Sequence, residues 1–212
     1  MARGRLITFE GGEAGGKSTQ IRLLSERLRS AGMVVRELRE PGGTPLGEKI
    51  RHLLKHDPDG RGMAAETELL LMNASRAELV RQSIRPALAA GEMVLCDRFY
   101  DSTTAYQAGG RGLDGAAVRS VIDFAVGDTH PDLTLWLRVP REIALQRLAG
   151  RNALTPSLDD RFEAEKEAFF ERVDEAYAAL AAAEPQRVRI IDANGDPGTV
   201  AERVWHEVAS QL

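Results

Sequence analysis

Short apolar runs alternate with longer amphipathic stretches along this chain, and the alternation predicts repeated strand–helix units. Five runs read as strands, at residues 6–10, 34–39, 93–97, 133–139 and 188–192. Helical segments fill the intervals and follow the last run. The longest, 67–90, carries apolar residues at helical spacing; Pro86 inside it predicts a kink or a split, because proline lacks the N–H that a helix needs. A second apolar helical pattern covers 116–126, residues 56–62 read as a surface loop, and 151–159 form a breaker-rich insert. The expected fold class is α/β, a five-stranded parallel sheet with helices on both faces. With no repeat or linker to divide the chain, residues 1–212 read as one domain with a mobile lid over roughly 147–161.

In such a sheet, ligands gather beyond the carboxyl ends of the strands. Three polar loops fall there. The first, Gly11-Gly12-Glu13-Ala14-Gly15-Gly16-Lys17-Ser18, fits G-x-x-x-x-G-K-[ST] between a strand and the helical start at Thr19. Glycine lets backbone N–H groups turn inward around a phosphate, and the following helix adds unpaired N–H groups and a partial positive charge. Lys17 is then placed for the β- and γ-phosphates of a nucleoside triphosphate and the Ser18 hydroxyl for Mg²⁺. The second loop is Glu40-Pro41-Gly42-Gly43-Thr44. The third begins at Asp97-Arg98, where the carboxylate suits Mg²⁺ or its water and the planar guanidinium suits a second phosphate.

Composition narrows the field. A hydrophobic share of 43% and a charged share of 28% are ordinary for a globular protein. The net charge of −4 argues against a general nucleic-acid surface, and no apolar run reaches membrane-spanning length. Cys96 is the only cysteine, so no internal disulfide forms; its apolar surroundings predict a buried thiol, and the usage fits the cytoplasm. The first strand begins almost at the first residue, which leaves no room for a signal peptide there. His52 and His56 have helical spacing but no third ligand to make a metal site. Among users of this phosphate loop, a GTPase needs N-K-x-D, and Asn194-Gly195-Asp196-Pro197 lacks the lysine, although its position still borders a nucleotide base. A small kinase fits better.

Four blocks, in order, resemble the thymidylate kinases, a family that moves the γ-phosphoryl group of ATP onto dTMP. They are 9–19, 39–44 (Arg39 to Thr44), Asp97-Arg98-Phe99 with Ser102 to Gln107, and Asp160-Arg161-Phe162-Glu163. The resemblance implies a P-loop kinase fold with a lid, the substrates ATP and dTMP, Mg²⁺, and a homodimer. It implies donor binding along 11–19 and acceptor binding by Glu13, Arg39, Glu40, Pro41, Met72, Arg76, Arg98, Thr103, Tyr106 and Gln107. Arg76 reaches a thymine carbonyl in this scheme, and Tyr106 crowds a ribose 2′-hydroxyl. Because Ala14 stands where some relatives carry a P-loop arginine, the resemblance points to the bacterial-like form whose lid supplies arginines. Arg151 and Arg161 are the main candidates, and Arg147 is a third that is free to pair with a carboxylate instead. Lys17, Asp97 and Arg98 complete the catalytic set, with Ser18 and Asp97 on the metal.

Two departures stand out. Met72 replaces a phenylalanine expected to stack on thymine, and Arg138 replaces an expected aspartate. Two other readings share these residues. A deoxynucleoside kinase would use Glu40 as a base toward a sugar hydroxyl, and a regulatory module would bind ATP without transferring phosphate.

Overall fold

The computed structural model describes residues 3–154, 162 and 165–211, with the backbone alone for residues 151–154. Strand β1 (Arg5–Glu10) leads into α1 (Lys17–Ser30), and β2 (Val35–Arg39) into α2 (Pro45–Lys55). Then come α3 (Ala65–Leu79), α4 (Arg85–Ala89), β3 (Met93–Asp97), α5 (Tyr100–Thr103), α6 (Gly115–Val126) and β4 (Leu133–Arg138). The chain continues through α7 (Arg141–Leu154), α8 (Glu167–Ala183), β5 (Val188–Asp192) and α9 (Pro197–Ala209). The strands form one sheet in the order β2-β3-β1-β4-β5, every neighbouring pair parallel.

The expected strands are present with small shifts at their ends. The first starts at Arg5, the second at Val35, and the fourth stops at Arg138, whose carbonyl accepts the last rung from the Ala193 N–H. The 67–90 segment changes its winding just before Pro86 and does not break there. Helical backbone runs on from α3 to α4 through a π-helical turn, Val80–Ile84, and Pro86 follows that turn, whose widened hydrogen-bond ladder accommodates a residue without an N–H. The 56–62 loop contains a short 3₁₀ turn, Pro58–Gly60, capped by Asp57.

Apolar side chains cover both faces of the sheet. On one, Ile7, Phe9, Leu95 and Leu135 pack under α1 and α9 through Ile21, Leu24, Leu28, Val204 and Val208. On the other, Leu6, Val94 and Cys96 meet Leu69, Leu79, Ile84, Val118 and Ile122. A third cluster joins Trp136 and Val188 to Phe169, Val173 and Tyr177 of α8. Thr8 and Glu10 share the face of Leu6 and are wholly buried, since strand side chains alternate and a central parallel strand has no wet side. Cys96 is buried as expected, and burial raises its thiol pKa well above the usual range. No helix among the described residues is long and apolar enough to cross a membrane.

Candidate active site

The three polar loops do meet at the carboxyl edge of the sheet. After β1 the chain turns at Gly11 with φ 123°, and a Cβ there would stand 2.4 Å from the Leu137 carbonyl oxygen. Only glycine lets the loop cross that close to β4. Gly16, with φ 90°, forms the N-cap of α1, so the first N–H groups of that helix open toward the loop. Ala14 also has positive φ, 53°. Lys17 is buried beneath the loop, its Nζ donating to the carbonyls of Gly12 (2.8 Å) and Gly11 (3.2 Å). Burial, and then the Arg98 charge, lower its pKa; Asp97, Glu13 and Glu10 pull the other way.

The ladder continues past both strand ends: Arg98 N–H donates to the Phe9 carbonyl and Glu40 N–H to the Asp97 carbonyl. This brings the second and third loops beside the first. Ser18 Oγ donates to Asp97 Oδ2 at 3.2 Å, so the two expected metal ligands are neighbours. Both are hard oxygen donors, the kind Mg²⁺ takes, and one carboxylate suffices where phosphates complete the shell. Among the described residues no group of three or more His, Cys, Asp or Glu side chains forms a separate metal site.

Arg98 holds a left-handed backbone, φ 69°, a conformation that costs about 1–3 kcal/mol and concentrates at functional sites. Its guanidinium donates to Ser102 Oγ (3.0 Å), Glu13 Oε1 (3.2 Å) and the Tyr106 hydroxyl (3.2 Å). Burial opposes its charge, and Tyr106 and Glu13 more than restore it. Behind it lies Glu10, which accepts from Phe99 N–H (2.7 Å), Ser102 Oγ (2.5 Å) and the Tyr177 hydroxyl (2.8 Å). Burial, then Asp101, push the Glu10 carboxyl up to about 7.

Two connected hollows flank this junction. The larger, about 820 Å³, runs along residues 13–20 past Arg39, Arg51, Asp97 and Arg147 to Ala193, Gly195, Pro197 and Val200. The smaller is lined by Pro41, Met72, Arg76, Thr103, Tyr106, Gln107 and Phe162, and Glu13, Glu40 and Arg98 border both. Arg76 is fully buried. It donates to Glu40 Oε2 (2.8 Å), Asn73 Oδ1 (2.8 Å) and the Phe99 carbonyl (3.2 Å). Burial raises the Glu40 pKa against the pull of Arg76, and its buried Oε1 has no hydrogen-bond partner among the described residues. Gln107 donates to Glu68, which also takes two bonds from Arg111. Arg39 is half-exposed and paired with Glu48.

Several expectations need amending. Arg147 pairs with no carboxylate among the described residues: its Nη2 donates to the carbonyls of Ala193 (3.1 Å) and Gly195 (3.4 Å), joining α7 to the loop after β5. Arg138 reaches Asp174 on α8 at 3.1 Å and lies over the Trp136 ring, so it works as a bridge between β4 and α8. The side chain of Arg151, and Arg161 altogether, lie outside the described residues. Sequence reasoning missed Glu10 and Arg51. A carboxylate inside an otherwise apolar central strand was the available signal for Glu10. Arg51 becomes visible only when α2 folds back, its Nη1 donating to the Pro41 carbonyl at 2.9 Å.

The model of the family described as "Thymidylate kinase" matches residues 9–204. A thymidylate kinase of Afipia carboxidovorans is 47% identical over 99% of this chain and 92% of its own length. That of Pseudomonas syringae pv. tomato is 52% identical over 90% of this chain and 88% of its own. Among solved structures, the thymidylate kinase of Ehrlichia chaffeensis superposes with a TM-score of 0.78 at 30% identity, covering 97% of this chain and 99% of that one.

Proposed function

The chain belongs to the thymidylate kinase family, and on that premise we propose how its cleft converts ATP and dTMP to ADP and dTDP. The observation that carries the reading is the junction at Glu13 and Arg98, which border both the phosphate-loop hollow and the smaller hollow beside Arg76. ATP lies along residues 11–19, its base toward the loop that follows β5. The dTMP base enters the smaller hollow between Met72, Arg76 and Tyr106, with Thr103 and Gln107 behind it. Glu40 borders this hollow and holds Arg76 in place beside it. Arg98, with Arg39 nearby, holds the dTMP phosphate facing the γ-phosphate.

An oxygen of the dTMP phosphate attacks the γ-phosphorus in line. The bond from that phosphorus to the β,γ-bridging oxygen breaks, and ADP leaves with the electron pair. The attacking oxygen is already ionised, so positioning and charge stabilisation carry the catalysis and no strong base is required. Lys17 steadies the β- and γ-phosphates, and Arg151 and Arg161 add charge to the transferring group from a lid over 147–161. Ser18 and Asp97 would hold Mg²⁺. Once bound, the ion offsets the charge shared by the two terminal phosphates.

The same proposal covers the setting. The chain acts as one domain in the cytoplasm, which suits a lone buried cysteine. Two copies pair through the face where α3 packs on α6, which leaves Phe124 93% and Leu70 58% exposed. An ADP-release assay with ATP, Mg²⁺ and a panel of dTMP, dUMP, other monophosphates and thymidine tests the reaction. Selective stimulation by dTMP is expected. Stimulation by thymidine would indicate a deoxynucleoside kinase, and ATP binding without any acceptor-dependent ADP release would overturn the transfer reading.

A further inference from the structure

We infer that Glu10 is a positioning residue for acceptor recognition: it sets the direction of the Ser102 hydroxyl and thereby keeps Arg98 aimed at the acceptor phosphate. The inference rests on the reading of Arg98 given above. Glu10 ends the central strand and touches neither hollow, yet three elements converge on its carboxylate: the turn after β3 through Phe99 N–H, α5 through Ser102, and α8 through Tyr177.

The direction of each bond follows from counting donors. Ionised, as it is above a pH of about 7, the Glu10 carboxylate only accepts, and a serine hydroxyl has one proton and two lone pairs. The 2.5 Å contact places the Ser102 proton on Glu10 Oε2, which leaves its lone pairs facing Arg98 Nη1 at 3.0 Å. Arg98 can only donate, and this polarity satisfies it; the Tyr177 hydroxyl, 3.0 Å from Ser102 Oγ, gives its own proton to Glu10 Oε2 and leaves the carboxylate as the stronger acceptor for Ser102. Meanwhile Oε1 takes the Phe99 N–H at 2.7 Å, next to the residue whose backbone is left-handed. Glu10 therefore fixes both the backbone turn and one guanidinium contact of Arg98.

A glutamine at this position would reverse the chain. Its carbonyl oxygen must face Phe99 N–H, because the alternative sets donor against donor. Its amide N–H₂ then faces Ser102 and Tyr177, so the Ser102 proton loses its carboxylate acceptor and only the Tyr177 hydroxyl, 3.0 Å away and facing the same amide, is left to take it. The shape is kept and the polarity is lost.

The test is equilibrium binding of dTMP and of thymidine at about pH 8, where Glu10 is ionised, to the wild type, Glu10→Gln, Arg98→Ala and the double variant. The readout is the preference for dTMP over thymidine, which isolates the phosphate contact from the base contacts. Glu10→Gln is expected to lower that preference about tenfold or more, the scale of a hydrogen bond to a charged group, with thymidine affinity unchanged. The double variant is expected to lose no more than Arg98→Ala alone. A preference in Glu10→Gln within about twofold of wild type, or losses that multiply in the double variant, would overturn the inference. Ser102→Ala breaks the same chain with a smaller change and carries the test if Glu10→Gln does not fold; a retained preference there overturns it equally. A wild type that binds dTMP no tighter than thymidine would overturn the role given to Arg98 and this inference together. A wild-type preference that survives in Glu10→Gln removes the inference alone.

Discussion

Lys17 is a buried cation and Arg98 a largely buried one, and each is held by the groups it needs for work. Lys17 hangs from two loop carbonyls, and Arg98 is gripped by Ser102, Glu13 and Tyr106. Lys17→Ala and Arg98→Ala are each expected to lower turnover by about 10²–10³-fold or more while far-ultraviolet circular dichroism stays native. A wild-type rate in either variant would remove the role assigned to that residue. Glu10 adds a pH signature. Its folded carboxyl, near 7, keeps a proton that an unfolded carboxyl, near 4.5, has released. Folding therefore takes up a proton between those values, so this group's contribution to stability is greatest below the lower one and declines as pH rises to the upper. Asp101 adds to the shift and Arg98, Ser102 and Phe99 N–H oppose it. Thermal melts of wild type and Glu10→Gln from about pH 5 to about pH 8 should show the variant gaining on the wild type as pH rises; parallel curves would count against the shifted carboxyl. The phosphate-binding residues were legible in the sequence because wrapping a phosphate demands particular residues at fixed spacing. Glu10 and Arg138 were not, because their partners on α5 and α8 are distant in the chain and only the fold brings them near.

At the scale of elements, the strands were readable because a sheet covered on both faces needs short, nearly continuous apolar runs. The π-helical turns Val80–Ile84 and Thr104–Gly110 were not, since one extra residue per turn leaves no compositional mark. The second of these follows α5, and α5 is anchored from below. Asp101, almost wholly buried, takes a two-pronged bond from Arg187 at 2.6 and 2.9 Å and a third bond from Thr134. Arg187 lies just before β5, and the pair ties the acceptor-side helix to the far edge of the sheet. Removing one partner strands the other charge in the interior, so Arg187→Ala is expected to cost about 3–5 kcal/mol in urea unfolding. A loss below about 1 kcal/mol would show that the pair contributes little beyond its packing.

For the whole molecule, the exposed Phe124 on α6 is the point to test. If two copies pair through that face, Phe124→Glu buries a charge in the contact, and sedimentation should show the dimer giving way to monomer at concentrations where the wild type stays paired. An unchanged sedimentation profile would move the pairing surface elsewhere or remove it. The strand order has a consequence of a different kind. Strand β1 is made before the other four, yet it is the middle of the finished sheet, and neither of its neighbours exists until Met93–Asp97 and Leu133–Arg138 have followed it. During synthesis the nascent β1 thus waits with both edges unpaired, and the phosphate loop that hangs from it has no rigid support until more than half of the chain has emerged. The nucleotide-binding loop, made before the strands that hold it, takes shape only after they have followed.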